Sequence, residues 1–487
     1  MCSRHELTAS IEAWIDKVIG TEAQATNVIA MPNGLDSSPT ASQVGAEVTK
    51  AEARGGPRRD KLLYTPDEER AVVRLLDRRL VLFLALLYML SFLDRSNIGN
   101  ARIAGMDDDL QSDPPRDDWY EWSLGAFYVT YIAFEWMSLL WRIIPAHIYV
   151  SALVLSWGVI ASLQAVAVNY PMLITLRALL GIGEAGFTGV PFYLSFFFRR
   201  DELAFRTAIF ISAAPLATSF ASSLAWLILK LASPLPIAPW RLLFLAEGFP
   251  SVFAALVAWS RIPDSPDTAP FLTARQKRVA RLRLRAPSSE EEDEPRPLQP
   301  PPTPLLPKKR GETVRDSLAV LKDPAAWLTA AILFLANMAY ASLPVFLPSI
   351  VRDMGHGAVE AQALSAPPYL VAFVVVLVTA YASDKMRARS PLLIARYLLL
   401  TLSPILNLPP SHPLRYFSLY PATAGFFSVV VLTLAWTVNN QPSSARRGTA
   451  FALLQALGQC GPLVGTRLFP ERDAPYYARA ESSPAIV

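Results

Sequence analysis

Long apolar runs dominate this chain and limit it to one kind of fold. Crossing a bilayer takes about 20 apolar residues of helix, and inside lipid every backbone polar group must be paired within the structure. Runs of this length therefore predict transmembrane helices. We predict an all-α membrane protein with about eleven spans, at 80–101, 122–141, 147–167, 170–198, 206–231, 240–260, 325–350, 364–382, 391–408, 417–438 and 449–469.

The loops between these spans alternate in charge. Only 18% of the residues are charged and 52% are hydrophobic, whereas about a quarter of a soluble domain is charged. One set of loops carries arginine and lysine, while the other is acidic, as at Asp107 to Asp109, or nearly uncharged. The positive-inside rule then puts the basic loops and the N-terminus in the cytoplasm. We expect an integral, multi-pass protein of the plasma membrane.

The spans fall into two groups separated by a polar segment. Six spans, a long linker and a further set of spans form the two-bundle plan of many secondary transporters. Symmetry predicts six spans in the second group, but five are found, so a twelfth helix is expected to be missing. The predicted divisions are a disordered cytoplasmic tail at 1–78, a six-helix bundle at 79–261, a Pro-rich and charged cytoplasmic linker at 262–323, an incomplete helix bundle at 324–470 and a polar tail at 471–487.

Four ions interrupt the apolar spans. Asp94 and Arg95 lie in the first span, and Arg177 and Glu184 lie in the fourth. Charges at membrane depth are costly and commonly mark a solute or ion path. An arginine fork can bind a carboxylate through two hydrogen bonds, and a buried carboxylate can carry a proton. We predict one central cavity in which the arginines bind an organic anion and the carboxylates carry protons. The alternative is that the four ions pair only to hold helices together.

Other polar residues in the spans have two interpretations each. Glu135 and Glu247 are candidate proton sites, although a structural ion pair explains each more simply. Uncharged polar side chains can line a cavity or only bridge helices. The candidates for substrate contacts in the second half are Asn337, Tyr340 and Gln455, with Gln459 nearby.

No pattern in the chain indicates an enzyme. Gly181, Gly183 and Gly186 match the spacing GxGxxG, but no strand precedes them, so they predict close helix packing rather than a dinucleotide site. No nucleophile with a base and no phosphate-binding loop is evident. Cys2 and Cys460 indicate neither a disulfide framework nor a metal site. We expect no cofactor, no metal and no nucleic-acid partner.

Several of these segments resemble one transporter family. Phe92-Leu-Asp-Arg-Ser-Asn-Ile-Gly-Asn-Ala101 closely resembles the first-helix signature of fungal allantoate permease-like transporters, of the anion:cation symporter family in the major facilitator superfamily. The similarity continues at 177–185, 239–244 and 364–369, and it covers about 79–477.

This resemblance implies proton-coupled uptake of organic anions by alternating access. It also implies that Asp94 and Arg95 serve proton coupling and carboxylate binding, and that Arg177 and Glu184 belong to the same network. A short loop resembles the gating motif of the superfamily, in which charges stabilise the outward-facing state. Its residues are Asp384, Lys385, Arg387 and Arg389. The corresponding loop in the first half, around Arg142, lacks the aspartate and glycines of that motif.

The functional prediction is a monomeric, proton-coupled importer of a small carboxylate of the nicotinate, allantoate or pantothenate type. Two alternatives remain open. One is a membrane nutrient sensor that binds but does not transport, and the other is an inactive, truncated transporter with a short ninth span and no twelfth. A membrane-embedded enzyme is disfavoured because no catalytic constellation is present.

Overall fold

The protein is helical throughout the part of the chain that its structure, a computed structural model, describes. That part comprises residues 64–112, 116, 118–231, 236–285, 319–386, 391–395, 412–440 and 444–465. The predicted all-α membrane fold is confirmed. Six described helices are long and apolar enough to cross a membrane: Ala146–Val166, Tyr170–Leu194, Phe205–Leu231, Pro239–Arg261, Ala358–Ser383 and Tyr416–Leu434. The count of eleven stays a prediction, because most of 391–408 lies outside the described residues.

Thirteen helices are used below and are numbered in chain order. They are α1 (Pro66–Leu76), α2 (Leu82–Ala101), α3 (Trp119–Phe134), α4 (Ala146–Leu163), α5 (Tyr170–Ala185), α6 (Arg200–Leu231), α7 (Pro239–Arg261), α8 (Ala274–Arg285), α9 (Pro324–Asp353), α10 (Ala358–Met386), α11 (His412–Asn440), α12 (Ser444–Gly458) and α13 (Cys460–Gly465).

The chain forms two compact units, and the smaller one contains α1 and α8. The sequence predicts a disordered tail at 1–78 and a linker at 262–323, whereas the described part of each region contains a helix. Helix α1 begins with a capping box, in which Thr65 Oγ1 accepts from the Glu68 amide and Glu68 accepts from the Thr65 amide. Its apolar side chains Val72 and Leu76 are fully buried. Local capping and burial therefore stabilise a segment whose composition alone indicates disorder.

Ion pairs join the elements of this smaller unit. Glu68 contacts Arg275 at 3.0 Å, and Glu69 contacts both Arg199 at 3.4 Å and the fully buried Arg283 at 3.3 Å. The hydrogen bond from Arg275 lowers the pKa of Glu68 below its ordinary 4.5. Because the folded pKa is the lower one, this pair stabilises the unit above pH 4.5, and its contribution is lost as the pH falls through the lowered pKa.

The larger unit contains the membrane-spanning helices. In its first half α3 packs on α5 and α4 on α7, while α2 packs on both α6 and α7. Helix α2 also packs on α9, and α6 packs on α10, so both halves of the chain contribute to this unit.

Glycines permit the closest of these helix contacts. A Cβ on Gly181 would overlap the Phe127 carbonyl of α3, and a Cβ on Gly183 would lie 2.9 Å from Ser156 Oγ of α4. Thr130 of α3 also donates to the Ala178 carbonyl of α5 at 2.7 Å. The predicted packing role of these glycines is confirmed. Close helix packing accounts for the GxGxxG spacing without a bound nucleotide.

A pair of glycine substitutions tests this packing. We expect Gly181→Ala to lower the melting temperature of the purified protein, because overpacking a tight contact costs about 1–3 kcal/mol. Gly125→Ala on α3 is the matched control, since nothing lies within 4 Å of its added Cβ. Equal melting temperatures for the two variants would contradict the close contact of α3 with α5.

The end of α2 is fixed by a cluster of hydrogen bonds. The chain bends at Gly105, whose φ of 92° lies in the left-handed region that favours glycine. Beyond the bend, Asp107 accepts from Arg102 at 2.8 Å and from the Tyr170 hydroxyl, and Asp109 accepts from Trp240 Nε1 at 2.7 Å. These bonds join the end of α2 to the first turns of α5 and α7. They therefore help to fix the position of the ions on α2 relative to those on α5.

Candidate functional site

A small cavity lies between the two halves of the larger unit. Its volume is about 80 Å³, which favours a small solute. Helices from both halves line it, as expected for a binding site at the interface of two bundles. The lining residues are Tyr88, Ser91, Arg95, Tyr128, Tyr131, Glu184, Phe187, Thr188, Pro191, Thr207, Phe210, Ile211, Leu333, Asn337, Phe427, Val430, Leu434, Gln455, Gln459 and Pro462.

An ion pair forms the charged part of this cavity. Arg95 Nη2 of α2 lies 2.7 Å from Glu184 Oε2 of α5, and Ser91 Oγ donates to the same oxygen at 3.0 Å. The other carboxylate oxygen, Glu184 Oε1, is buried and has no hydrogen-bond partner among the described residues. One oxygen is therefore held by two donors, and the second is available to a proton.

Aromatic rings surround the Arg95 guanidinium. Its carbon lies 4.8 Å from the ring centre of Tyr131, 5.0 Å from that of Phe127 and 5.8 Å from that of Phe92. Such cation–π contacts strengthen when water is excluded, and the Arg95 side chain is only 12% exposed. The rings fix the guanidinium at the cavity wall and reduce the cost of burying its charge.

The other two predicted ions do not line the cavity. Asp94 precedes Arg95 by one residue, which is about 100° around a helix, and its carboxylate accepts from Ser251 of α7 at 3.3 Å. Arg177 Nη1 points to the backbone carbonyl of Asp94 at 3.5 Å. The expected single cavity with four ions is therefore divided into two clusters, one on each side of α2.

The position of Arg177 follows from helix geometry. Arg177 and Glu184 do share a face of α5, but they lie two turns apart, or about 10 Å along the axis. The guanidinium of Arg177 is 5.9 Å from the ring centre of Phe244 and is buried away from the cavity. In this conformation Arg177 contacts α2 and α7 and does not line the cavity, so its contact with a substrate stays a prediction.

Three predicted polar residues of the second half do line the cavity. They are Asn337, Gln455 and Gln459. Asn337 also donates to the Gly458 carbonyl at 3.1 Å, so its amide both lines the cavity and bridges helices. The side chains of Tyr340, Asp384 and Lys385 lie outside the described residues, as do Arg387 and Arg389 altogether.

The remaining intramembrane acids, Glu135 and Glu247, are not paired with a cation through a hydrogen bond within the described chain. Both oxygens of each side chain are buried without a hydrogen-bond partner there. Neither glutamate therefore forms the structural ion pair that would be its simpler explanation in this conformation. Glu247 lies on α7, one turn before Ser251, and thus on the face that meets Asp94.

Sequence reasoning missed the aromatic lining of the site. Tyr88, Ser91 and Arg95 all line the cavity and recur at helical spacing, which marks one face of α2. This spacing is a sequence signal from which the cavity-facing side of α2 can be predicted. Tyr128 and Tyr131 similarly lie three residues apart on α3.

The chain resembles known membrane transporters along most of its length. The family pattern described as Major Facilitator Superfamily matches residues 84–466. The MFS transporter prlL of Fungal sp. (strain NRRL 50135) is 30% identical and covers 91% of this chain and 88% of its own length. The high-affinity nicotinic acid transporter of Saccharomyces cerevisiae is 28% identical and covers 85% of this chain and 74% of its own length.

Solved structures share the fold at much lower identity. The proton:xylose symporter XylE, with a TM-score of 0.60, covers 81% of this chain and 89% of its own length at 13% identity. Its substrate is a neutral sugar, so the shared fold alone does not select a substrate for this chain.

Proposed function

Because this chain belongs to the Major Facilitator Superfamily, we propose that it is a proton-coupled secondary transporter that imports a small organic carboxylate. The observation that carries the proposal is the cavity with one arginine, Arg95, paired to one carboxylate, Glu184. The signature at 92–101 supports membership of the allantoate permease-like anion:cation symporters. We further propose a cytoplasmic N-terminus and a plasma-membrane location, from the charge alternation of the loops.

Arg95 is the proposed anchor for the substrate anion. Guanidinium groups bind carboxylates through two parallel hydrogen bonds, and their charge is permanent. Arg95 Nε is buried without a hydrogen-bond partner among the described residues, so the fork has unused donor capacity. Asn337 and Gln455 are proposed to contact the rest of the substrate from the second half.

The lining favours an aromatic or otherwise flat acid over a polyhydroxylated one. Six of the twenty lining residues are aromatic: Tyr88, Tyr128, Tyr131, Phe187, Phe210 and Phe427. Aromatic rings offer stacking surfaces, whereas a hydroxyl-rich solute would need many more polar partners in the cavity. Nicotinic acid, the substrate for which the Saccharomyces cerevisiae relative at 28% identity is named, fits this preference. Nicotinate is therefore our leading candidate.

Competition for Arg95 provides a coupling mechanism. While Glu184 is ionised it occupies the Arg95 fork. A proton on Glu184 Oε1 neutralises that carboxylate and frees the guanidinium for the substrate anion. Proton and substrate then enter the cavity together with no net change in its charge, and both leave it after the conformational change.

Ligand binding to the purified protein tests the substrate class directly. We expect nicotinate to raise the melting temperature in a saturable manner. Nicotinamide should bind at least tenfold more weakly, a difference of ~1.4 kcal/mol in binding free energy, because its uncharged amide cannot accept two charge-assisted bonds. Pantothenate and allantoate measure the tolerance for non-aromatic acids. Equal binding of nicotinate and nicotinamide, or no binding of any carboxylate, would overturn the proposal.

A further inference from the structure

A second cluster of buried ions lies on a different face of α2 from the one that lines the cavity. Asp94, Arg177 and Glu247 are each at most 2% exposed. Ser251 donates to Asp94, and Arg177 points to the backbone carbonyl of the same residue. Glu247 interacts electrostatically with both Asp94 and Arg177. None of the three ions lines the cavity.

The two clusters differ in net charge when all their groups are ionised. In the cavity one guanidinium, Arg95, faces one carboxylate, Glu184, and the pair is neutral. Behind α2, two carboxylates face one guanidinium, which leaves one net negative charge when all three groups are ionised. An uncompensated charge inside a membrane protein is expensive, and two neighbouring carboxylates avoid it by sharing a proton.

The hydrogen bonds also distinguish the two carboxylates. Asp94 accepts from Ser251, and this bond favours its ionised form. Glu247 has two buried oxygens with no hydrogen-bond partner among the described residues. No such bond stabilises its ionised form, so Glu247 holds the proton more readily than Asp94 does.

Among the described residues, Asp94 and Arg177 are the charged groups that act on Glu247. Helix α4, which packs on α7, carries His147 and Tyr149 at its first turn. His147 is paired with Asp264, and the Tyr149 hydroxyl donates to the Met137 carbonyl. Helix α6, which also contacts α7, carries its charges at its ends, namely Arg200, Asp201, Glu202, Arg206 and Lys230. Helix α2 contributes Asp94 itself, and the turn after α4 contributes the uncharged Gln164.

We propose that Glu247 and Asp94 form a proton-binding pair, separate from the substrate cavity, that holds one proton with Arg177 as its counter-charge. The role of this pair in transport rests on the proposed function, but its protonation does not. A proton that leaves the pair would make the region behind α2 negative, and Arg177 could move from the Asp94 carbonyl to the carboxylates. This proton would thus bind on a different face of α2 from the substrate, about 100° around the helix.

Infrared spectroscopy tests this pair without any substrate. A protonated carboxyl group has a carbonyl stretching band that a carboxylate lacks. Spectra are recorded on a Glu135→Gln background, because Glu135 also has two buried oxygens without a hydrogen-bond partner among the described residues. We expect this band in that otherwise wild-type protein in lipid vesicles at neutral pH, and we expect its loss when either Glu247→Gln or Asp94→Asn is added. Glu360→Gln, which alters a 70% exposed side chain, should keep the band. Glu184→Gln should keep it too, because the hydrogen bonds of Glu184 go to Arg95 and Ser91 and not to Asp94 or Glu247.

Three results would overturn the inference. They are a background spectrum without the band, a Glu247→Gln spectrum that keeps it, and a Glu184→Gln spectrum that loses it. Monodisperse elution of each variant shows that it is folded, and glutamine has nearly the volume of glutamate. Transport of labelled nicotinate is measured on the same vesicles. If the wild type moves no nicotinate while the band behaves as expected, the proposed function fails and the proton pair stands.

Discussion

Replacing Arg95 with lysine is expected to lower nicotinate uptake by about 100-fold although the positive charge is kept. A lysine ammonium is a point charge and cannot grip a carboxylate with two parallel bonds. It would also lose the planar contacts with Phe127 and Tyr131. The loss corresponds to ~2.7 kcal/mol, which is within the range for a hydrogen bond to a charged group.

Uptake is measured in vesicles containing equal amounts of folded protein. Arg116→Lys is the matched control, because Arg116 is a half-exposed arginine that pairs with Asp118 and does not line the cavity. That variant should transport at close to the wild-type rate. Near-normal uptake by Arg95→Lys would reduce Arg95 to a structural ion that merely holds α2 against α5.

Replacing Glu184 with glutamine is expected to separate exchange from accumulation. The amide mimics a permanently protonated side chain and leaves the Arg95 fork available to substrate. Such a carrier can still exchange nicotinate across the membrane, because exchange does not require the proton to leave. It should lose essentially all accumulation that a proton gradient drives.

Two assays on the same vesicles distinguish these properties. Counterflow of labelled nicotinate into vesicles preloaded with unlabelled nicotinate should continue, while uptake into empty vesicles under an inward proton gradient should cease. Full proton-driven accumulation by Glu184→Gln would move the coupling site to Asp94 and Glu247 alone. Loss of both activities, in a variant that elutes normally, would contradict the idea that Glu184 only competes for Arg95.

Much of the fold could be predicted from the sequence, because membrane helices are recognisable by their length and apolar composition. The segments at 147–167, 170–198, 206–231 and 240–260 coincide with helices of the structure to within a few residues. Close packing at Gly181 could also be predicted. Each of these inferences depends only on local composition and on the geometry of one helix.

The partners of the ions could not be predicted in the same way. That Asp94 and Arg95 point about 100° apart follows from the helix itself. Which neighbours they meet depends on how α2 packs on α6 and α7 and on which side chains of α5 reach it. The importance of Glu247 appears only once Ser251 is seen to donate to Asp94. For α1 the signal was present, since Thr65-Pro66-Asp67-Glu68 is a capping box, but low average hydrophobicity outweighed it.

Simultaneous measurement of proton and substrate flux tests proton-coupled import most directly. Purified protein is reconstituted into vesicles, an inward proton gradient is imposed, and labelled nicotinate inside the vesicles is followed together with internal pH. We predict accumulation above the external concentration, acidification that requires nicotinate, and collapse of both when a protonophore removes the gradient. Nicotinate that only equilibrates, with no movement of protons, would contradict the account.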